Sequence, residues 1–198
     1  MHEQNIEKLD ALIKLSPDVD FAPKKNWASG DLIEAAEADL GFKLPESYKW
    51  WLNHYKAGSI GFDQEIYSIY RKTSGVATYS DIVASHLRKN KHPSLPDNAL
   101  VFFTIHDGDE LYYFDVNPEN SEYEIHIYSV FDGQTQFYAN NFIEFLIKFI
   151  ELNTTQETPR KVAEEKPTVS SVNRVPIISR VLVLLVVCIV VVLHYINL

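Results

Sequence analysis

Along residues 41–55, GFKLPESYKWWLNHY, the apolar positions repeat with a helical period: Tyr48, Trp51, Leu52 and Tyr55 fall at i, i+3, i+4 and i+7. Pro45 stands where a first-turn proline fits, and Glu46 suits the positive end of the helix dipole. The pattern predicts a helix over 45–55. A face with three aromatics, each able to bury ~150–250 Å², needs the rest of the fold packed on it. Ile6, Leu9, Leu12 and Ile13 predict a first helix over 2–15. A loop is expected over 17–29, with Trp27 folded back onto the core. Asp31-x-x-Glu34 opens a helix over 31–40, where Ile33, Ala36, Glu37 and Leu40 share a face and Gly41 suits the left-handed C-cap.

Downstream the period shortens. Gly58, Ser59 and Gly61 read as a turn, 66–70 as a strand, and 79–89 as a helix with Ser80 as N-cap and Val83 and Leu87 inward. Residues 90–98 form a loop. Strands follow at 99–105, 110–116 and 123–130, the first two joined by His106-Asp107-Gly108-Asp109, a strong hairpin signal. Asp132-Gly133 marks another turn. The closing helix, 141–152, carries Phe142, Phe145, Leu146, Phe149 and Ile150 on one face, with Asn141 and Glu144 as a capping box. Helices, then hairpin-linked strands, then a helix imply an α+β domain over 1–152, its antiparallel sheet flanked by helices.

From Asn153 the composition changes. Residues 153–173 lack aromatics and sustained periodicity, and read as a flexible linker spanning roughly 25 Å. Then 181–193 is an unbroken run of 13 apolar residues, and 181–198 carries no formal charge. With Ile177, Ile178 and a snorkelling Arg180, residues 175–197 are expected to form a transmembrane helix. Arg160, Lys161, Lys166, Arg174 and Arg180 all precede the span. The positive-inside rule then predicts a single-pass membrane protein with its N-terminal domain in the cytoplasm.

All 27 acidic residues but only 16 of the 18 basic ones lie before Arg174. That balance argues against a nucleic-acid binder and permits a basic partner. The lone Cys188 lies inside the apolar run, so no disulfide framework or cysteine metal site is expected. No GxSxG, P-loop, dinucleotide fingerprint or HExxH is present, and neither catalytic residues, a cofactor nor a resident metal is expected. The most site-like cluster is His106, Asp107, Asp109 and Glu110, with His126 on a later strand; carboxylates and an imidazole suit a hard or borderline cation. The plainer reading is a solvated turn whose aspartates bond their own backbone. His86 and His92 flank Arg88-Lys89-Asn90-Lys91, a basic patch at a helix end. Trp50 cannot share the inward face of Trp51 and is either a binding anchor or packed on the 17–29 loop.

Over about residues 28–150 the chain resembles the SUKH superfamily of Smi/Knr-type domains, known as bacterial toxin-immunity proteins and a yeast cell-wall-synthesis regulator. The resemblance rests on IEAAEADLGFKLPESYKWWL, the glycine turn after it, LPDNALVFF, DGDELYYFDV, EIHIYSV and FIEFLIKFI, in that order. Leu44, Pro45, Tyr48 and Trp51 match its structural motif. Such domains usually carry Asn-Gly after the LP helix; here the segment reads KAGSIG, so no role of that asparagine transfers. The resemblance implies a protein-binding module without shared catalytic residues, whose partner is a toxin domain, anchored here to the lipid bilayer. Trp50, Asp107, Asp109 and Glu110 are the candidate partner-binding residues. A membrane-tethered regulatory scaffold is the alternative, and a metal-dependent enzyme a third reading.

Overall fold

The computed structural model describes residues 3–23, 30–61, 64–70, 80–88, 92–105 and 108–156. Two compact units are distinguished, Met1–Pro159 and Arg160–Leu198; the second, with the expected membrane span, lies outside the described residues, as does the expected linker from residue 157 on, its first four residues belonging to a helix. Among the described residues no helix is long and apolar enough to cross a membrane.

In chain order the elements are α1 (Glu3–Leu15), β1 (Val19–Pro23), α2 (Gly30–Leu40), α3 (Glu46–His54), β2 (Tyr55–Ile60), β3 (Glu65–Ile66), α4 (Ile82–Leu87), β4 (Ala99–Ile105), β5 (Glu110–Asp115), β6 (Glu124–Ser129), β7 (Thr135–Ala139) and α5 (Phe142–Gln156). The seven strands form one sheet in sequential order, and each neighbouring pair is antiparallel. The α+β architecture expected from the pattern, an antiparallel sheet flanked by helices, is therefore present.

Strand alternation assigns the two faces. Leu100, Phe102, Phe103, Tyr112, Phe114 and Ile125 join the helices in the main core. Ala99, Tyr113 and Tyr128 point the other way, into a smaller cluster closed by Leu95. A bulge between Val101 and Phe103 turns both Phe102 and Phe103 inward, which simple alternation forbids. Helix α1 lies on α5, where Leu9 is fully buried and Lys8 pairs with Glu151 at 2.8 Å.

Several elements depart from the pattern-based reading. The expected loop after α1 contains β1; Trp27 lies outside the described residues. Tyr55 leaves the helix with extended torsions (φ −129°, ψ 141°) and begins β2. Gly58 is in that strand rather than in a turn, opposite Phe21. The strand expected at 66–70 shrinks to β3. Asp81, not Ser80, caps α4: its Oδ1 accepts the Ala84 N–H at 2.9 Å, while the Ser80 hydroxyl bonds Glu65. Ile82 and Val83 take the inward positions, and Leu87, in the last turn before the chain leaves the helix, is exposed. β7 has no counterpart in the prediction, because its Thr135, Gln136 and Phe137 are exposed on a sheet edge and carry no apolar alternation. α5 runs to Gln156, four residues past its expected end.

Candidate functional site

The motif residues come first. Leu44, Pro45, Tyr48 and Trp51 are buried, the last two completely. Pro45 occupies the N-cap of α3, with φ −65° and ψ 145°, and offers no side-chain cap. The cap arrives from the β5–β6 loop instead. Glu122 accepts the Ser47 N–H at 2.9 Å and its O–H at 2.6 Å, and the Ser121 carbonyl accepts the Glu46 N–H at 3.0 Å. The Ser47 hydroxyl oxygen in turn accepts the Phe142 N–H at 3.1 Å, so it also caps α5. Tyr123 donates to the Lys43 carbonyl at 2.8 Å. These polar groups are spent on holding elements together, which makes the motif architectural.

Glu37 completes this arrangement. It is an acid at an apolar helix position, 6% exposed, and its carboxylate accepts the Leu44 N–H at 2.9 Å and the Lys43 ammonium at 2.7 Å, with Lys49 at 3.6 Å. Burial alone raises its pKa, but the Lys43 and Leu44 hydrogen bonds and the two lysine charges outweigh burial and hold it below the ordinary value of 4.5. A lowered folded-state pKa gives stability that is present above the unfolded-chain value and lost as pH falls through the folded one. The melting temperature of the wild type is therefore expected to fall more steeply below pH 4.5 than that of Glu37→Gln, the two curves converging in acid. Parallel curves would mean that Glu37 carries no such linkage.

The candidate binding residues divide between two places. Trp50 is half-buried on α3, stacked on His54 at 4.2 Å and edge-on to Tyr55 at 6.3 Å. That position adjoins β2, three strand spacings, or about 14 Å, from β5. Asp109 and Glu110 lie at the β4–β5 tip, where Gly108 takes φ +97°; His106 and Asp107 lie outside the described residues. The Asp109 carbonyl accepts the Val130 N–H at 2.8 Å and so joins this tip to the β6–β7 tip beside it. There Asp132 accepts the Gln134 N–H at 3.1 Å; that bond and one with the Ser129 side chain hold its carboxyl below the usual range. Next to it Phe131 is 97% exposed, and Phe137 on β7 is 51% exposed. Neither Phe131 nor Asp132 is singled out by periodicity, because both sit in a turn.

His126 does not join the acidic cluster. Its register partner is Tyr113, three residues along β5 from Glu110, and it stacks on Tyr113 with Glu124 at 3.5 Å. Among the described residues there is no group of three or more side chains able to hold a metal ion. The charge has a different organisation. From His92 to Ile147 the sequence holds ten acidic residues and no lysine or arginine. The acidity is thus concentrated on the segment that builds β4 to β7.

On the sheet face away from the main helices a partly enclosed cleft of about 300 Å³ opens beside these tips. Leu95, Val101, Leu111 and Val130 line it, with His86 and His92. The two histidines, six residues apart around a basic patch, thus converge on one cleft. His86 packs edge-on against Phe42 at 5.6 Å, and His92 tilts against Tyr128 at 5.1 Å. The His92 Nδ1 accepts the Ser94 N–H at 3.4 Å.

A family model described as SUKH_6, SMI1-KNR4 cell-wall, matches residues 30–146, more than half of the chain. The chain belongs to the SUKH_6 family. The SUKH_6 match begins with α2 and ends inside α5, so it takes in the LP motif, both hairpins and the cleft. Helix α1 and strand β1 precede the SUKH_6 span. No curated protein matches the chain.

Proposed function

We propose that this SUKH_6 chain is a membrane-anchored protein-binding module of the immunity type, which occupies a toxin domain in the cytoplasm by stoichiometric contact. The observation that carries the reading is the base-free, acidic segment from His92 to Ile147, which ends in two exposed hairpin tips. Such a surface steers a basic protein toward it and raises the association rate at low salt. The SUKH superfamily, which includes toxin-immunity proteins, supports binding over turnover. The apolar run at 181–193 supplies the anchor, and tethering raises the local concentration of the domain where a toxin enters.

A regulatory scaffold is favoured by one observation, the cell-wall description carried by the family model. Finding a gene for a large toxin with a variable C-terminal domain beside this one would support the immunity reading over the scaffold. Titration of that toxin domain with the chain is expected to end at one-to-one, with deletion of residues 174–198 releasing the protein from membranes. Neutralisation of excess toxin by trace protein would overturn stoichiometric binding, and membrane sedimentation of the truncated chain would overturn the tail as sole anchor.

A further inference from the structure

We propose that the β7 edge of the sheet pairs antiparallel with the β7 edge of a second copy of this chain, across a two-fold axis at Gln136. This goes beyond the toxin contact and does not rest on it.

The sheet has two edges, and only one is sealed. β1 carries Asp20, Pro23 and a bulge between Phe21 and Pro23, all devices that spoil strand addition. β7 holds neither a charge nor a proline, and its Thr135, Gln136 and Phe137 are exposed. Among the described residues its only strand partner is β6. The Gln134 carbonyl points to β6, where it accepts the Ser129 N–H at 3.0 Å. Antiparallel pairing alternates, so Gln136 also faces β6, while the N–H and C=O groups of Thr135 and Phe137 face outward. A row of alternating donors and acceptors suits an extended backbone.

The length of the open row selects the occupant. Before it stands the Asp132-Gly133 turn, with Gly133 at φ +69°. After it the register shifts: Phe137 faces His126 but Ala139 faces Ile125, so Tyr138 is the extra residue of a bulge. The Tyr138 carbonyl is taken by the Lys148 ammonium at 2.8 Å. A longer strand meets the turn at one end and Lys148 at the other, whereas β7 of a second copy is open over the same short stretch. With Gln136 on the axis, Thr135 of each copy lies opposite Phe137 of the other, and each such pair exchanges its backbone hydrogen bonds. The Phe137 rings, 51% exposed, then lie diagonal to each other within aromatic reach.

The charges at the ends of the row fit the same axis. It carries the Asp132 end of one copy to the Asn140 end of the other, where Lys148 lies over the Tyr138 ring at 4.5 Å. Glu144 at that end is engaged by the Asn140 N–H and side-chain amide at 3.2 and 2.7 Å. The exposed Asp132 carboxylate is therefore directed toward an ammonium on both sides of the axis.

The test uses the full chain with Cys188→Ser, so that an introduced thiol stands alone. Gln136 is exposed and on the axis, where a pair without hydrogen bonds brings its Cα atoms to ~4.5 Å, close enough for a disulfide. Under mild oxidation Gln136→Cys is expected to cross-link into dimers at least about 10-fold faster than Asn120→Cys on the exposed β5–β6 loop. Phe137→Pro removes an outward N–H, leaves the bonds to β6 intact, and should bring the Gln136→Cys rate down to that of Asn120→Cys. Phe137→Lys keeps the backbone, sets like charges across the joint, and should do the same. Equal rates for the two thiols, or no cross-link, would overturn the pairing. So would an undiminished rate in either Phe137 variant with an unchanged circular dichroism spectrum.

Discussion

Trp51→Ala is expected to cost about 3–5 kcal/mol of folding stability, the range for deleting a large buried ring without full collapse of the site. Trp51 has no exposed surface. Its ring stacks on Tyr48 at 5.8 Å and meets Phe21 and Phe142 edge-on at 5.9 and 5.6 Å. Those partners come from α3, β1 and α5, so the ring ties three elements together. Their backbones are fixed by the sheet and the helix caps, so they cannot close on the space left by an alanine. The indole Nε1 has no hydrogen-bond partner among the described residues, so the loss is one of packing. Trp51→Phe retains part of the ring contact and is expected to cost clearly less. Urea unfolding of both variants checks the order; a loss below about 1 kcal/mol for alanine would mean that the face relaxes freely.

Gly58→Ala is expected to destabilise by about 1–3 kcal/mol, although it exchanges glycine for a better strand former. A Cβ at position 58 would stand 2.3 Å from Cδ1 and 2.8 Å from Cε1 of Phe21. The ring cannot swing aside at little cost, since it is 6% exposed and sits against Trp51 at 5.9 Å and Tyr55 at 5.2 Å. The clash identifies its own rescue. Phe21→Leu is destabilising alone, but combined with Gly58→Ala it should cost less than the two single losses added together. Additive losses would show that the ring is not the obstacle.

This glycine shows why some of the fold is legible in the sequence and some is not. Asp-Gly and helical spacing act over a few residues, so the tip between β4 and β5, the start of α5 and the C-cap at Gly41 can be read locally. Gly58 looks like a turn residue because the cause of its being glycine lies on another strand, 37 residues earlier. Tyr55 completes a helical series on paper, yet pairing with β1 draws it into a strand. β7 escapes notice because Thr135, Gln136 and Phe137 are exposed one after another at the sheet edge, so both faces are wet there and nothing alternates. The candidate site divides in the same manner. Asp109 and Glu110 are legible as turn acids, and the absence of lysine and arginine between Lys91 and Lys148 can be counted directly. The cleft cannot be, since its four apolar walls meet only when the sheet and the preceding loop are assembled.

The double role of the Ser47 hydroxyl has a consequence for the time order in which the chain can become stable during synthesis. Its acceptor, Glu122, lies 75 residues downstream, and its donor, Phe142, lies 95 downstream. Helix α3 therefore has no side-chain cap of its own and must wait for most of the domain to leave the ribosome. Contacts of such long sequence separation make folding slow and late. Until Phe142 has emerged, the aromatic face of α3 lacks the part of its cover that α5 supplies and is open to chaperones or to aggregation. The apolar run at 181–193 follows close behind, so the nascent chain exposes an aromatic helix face and its longest apolar run within a short interval of each other.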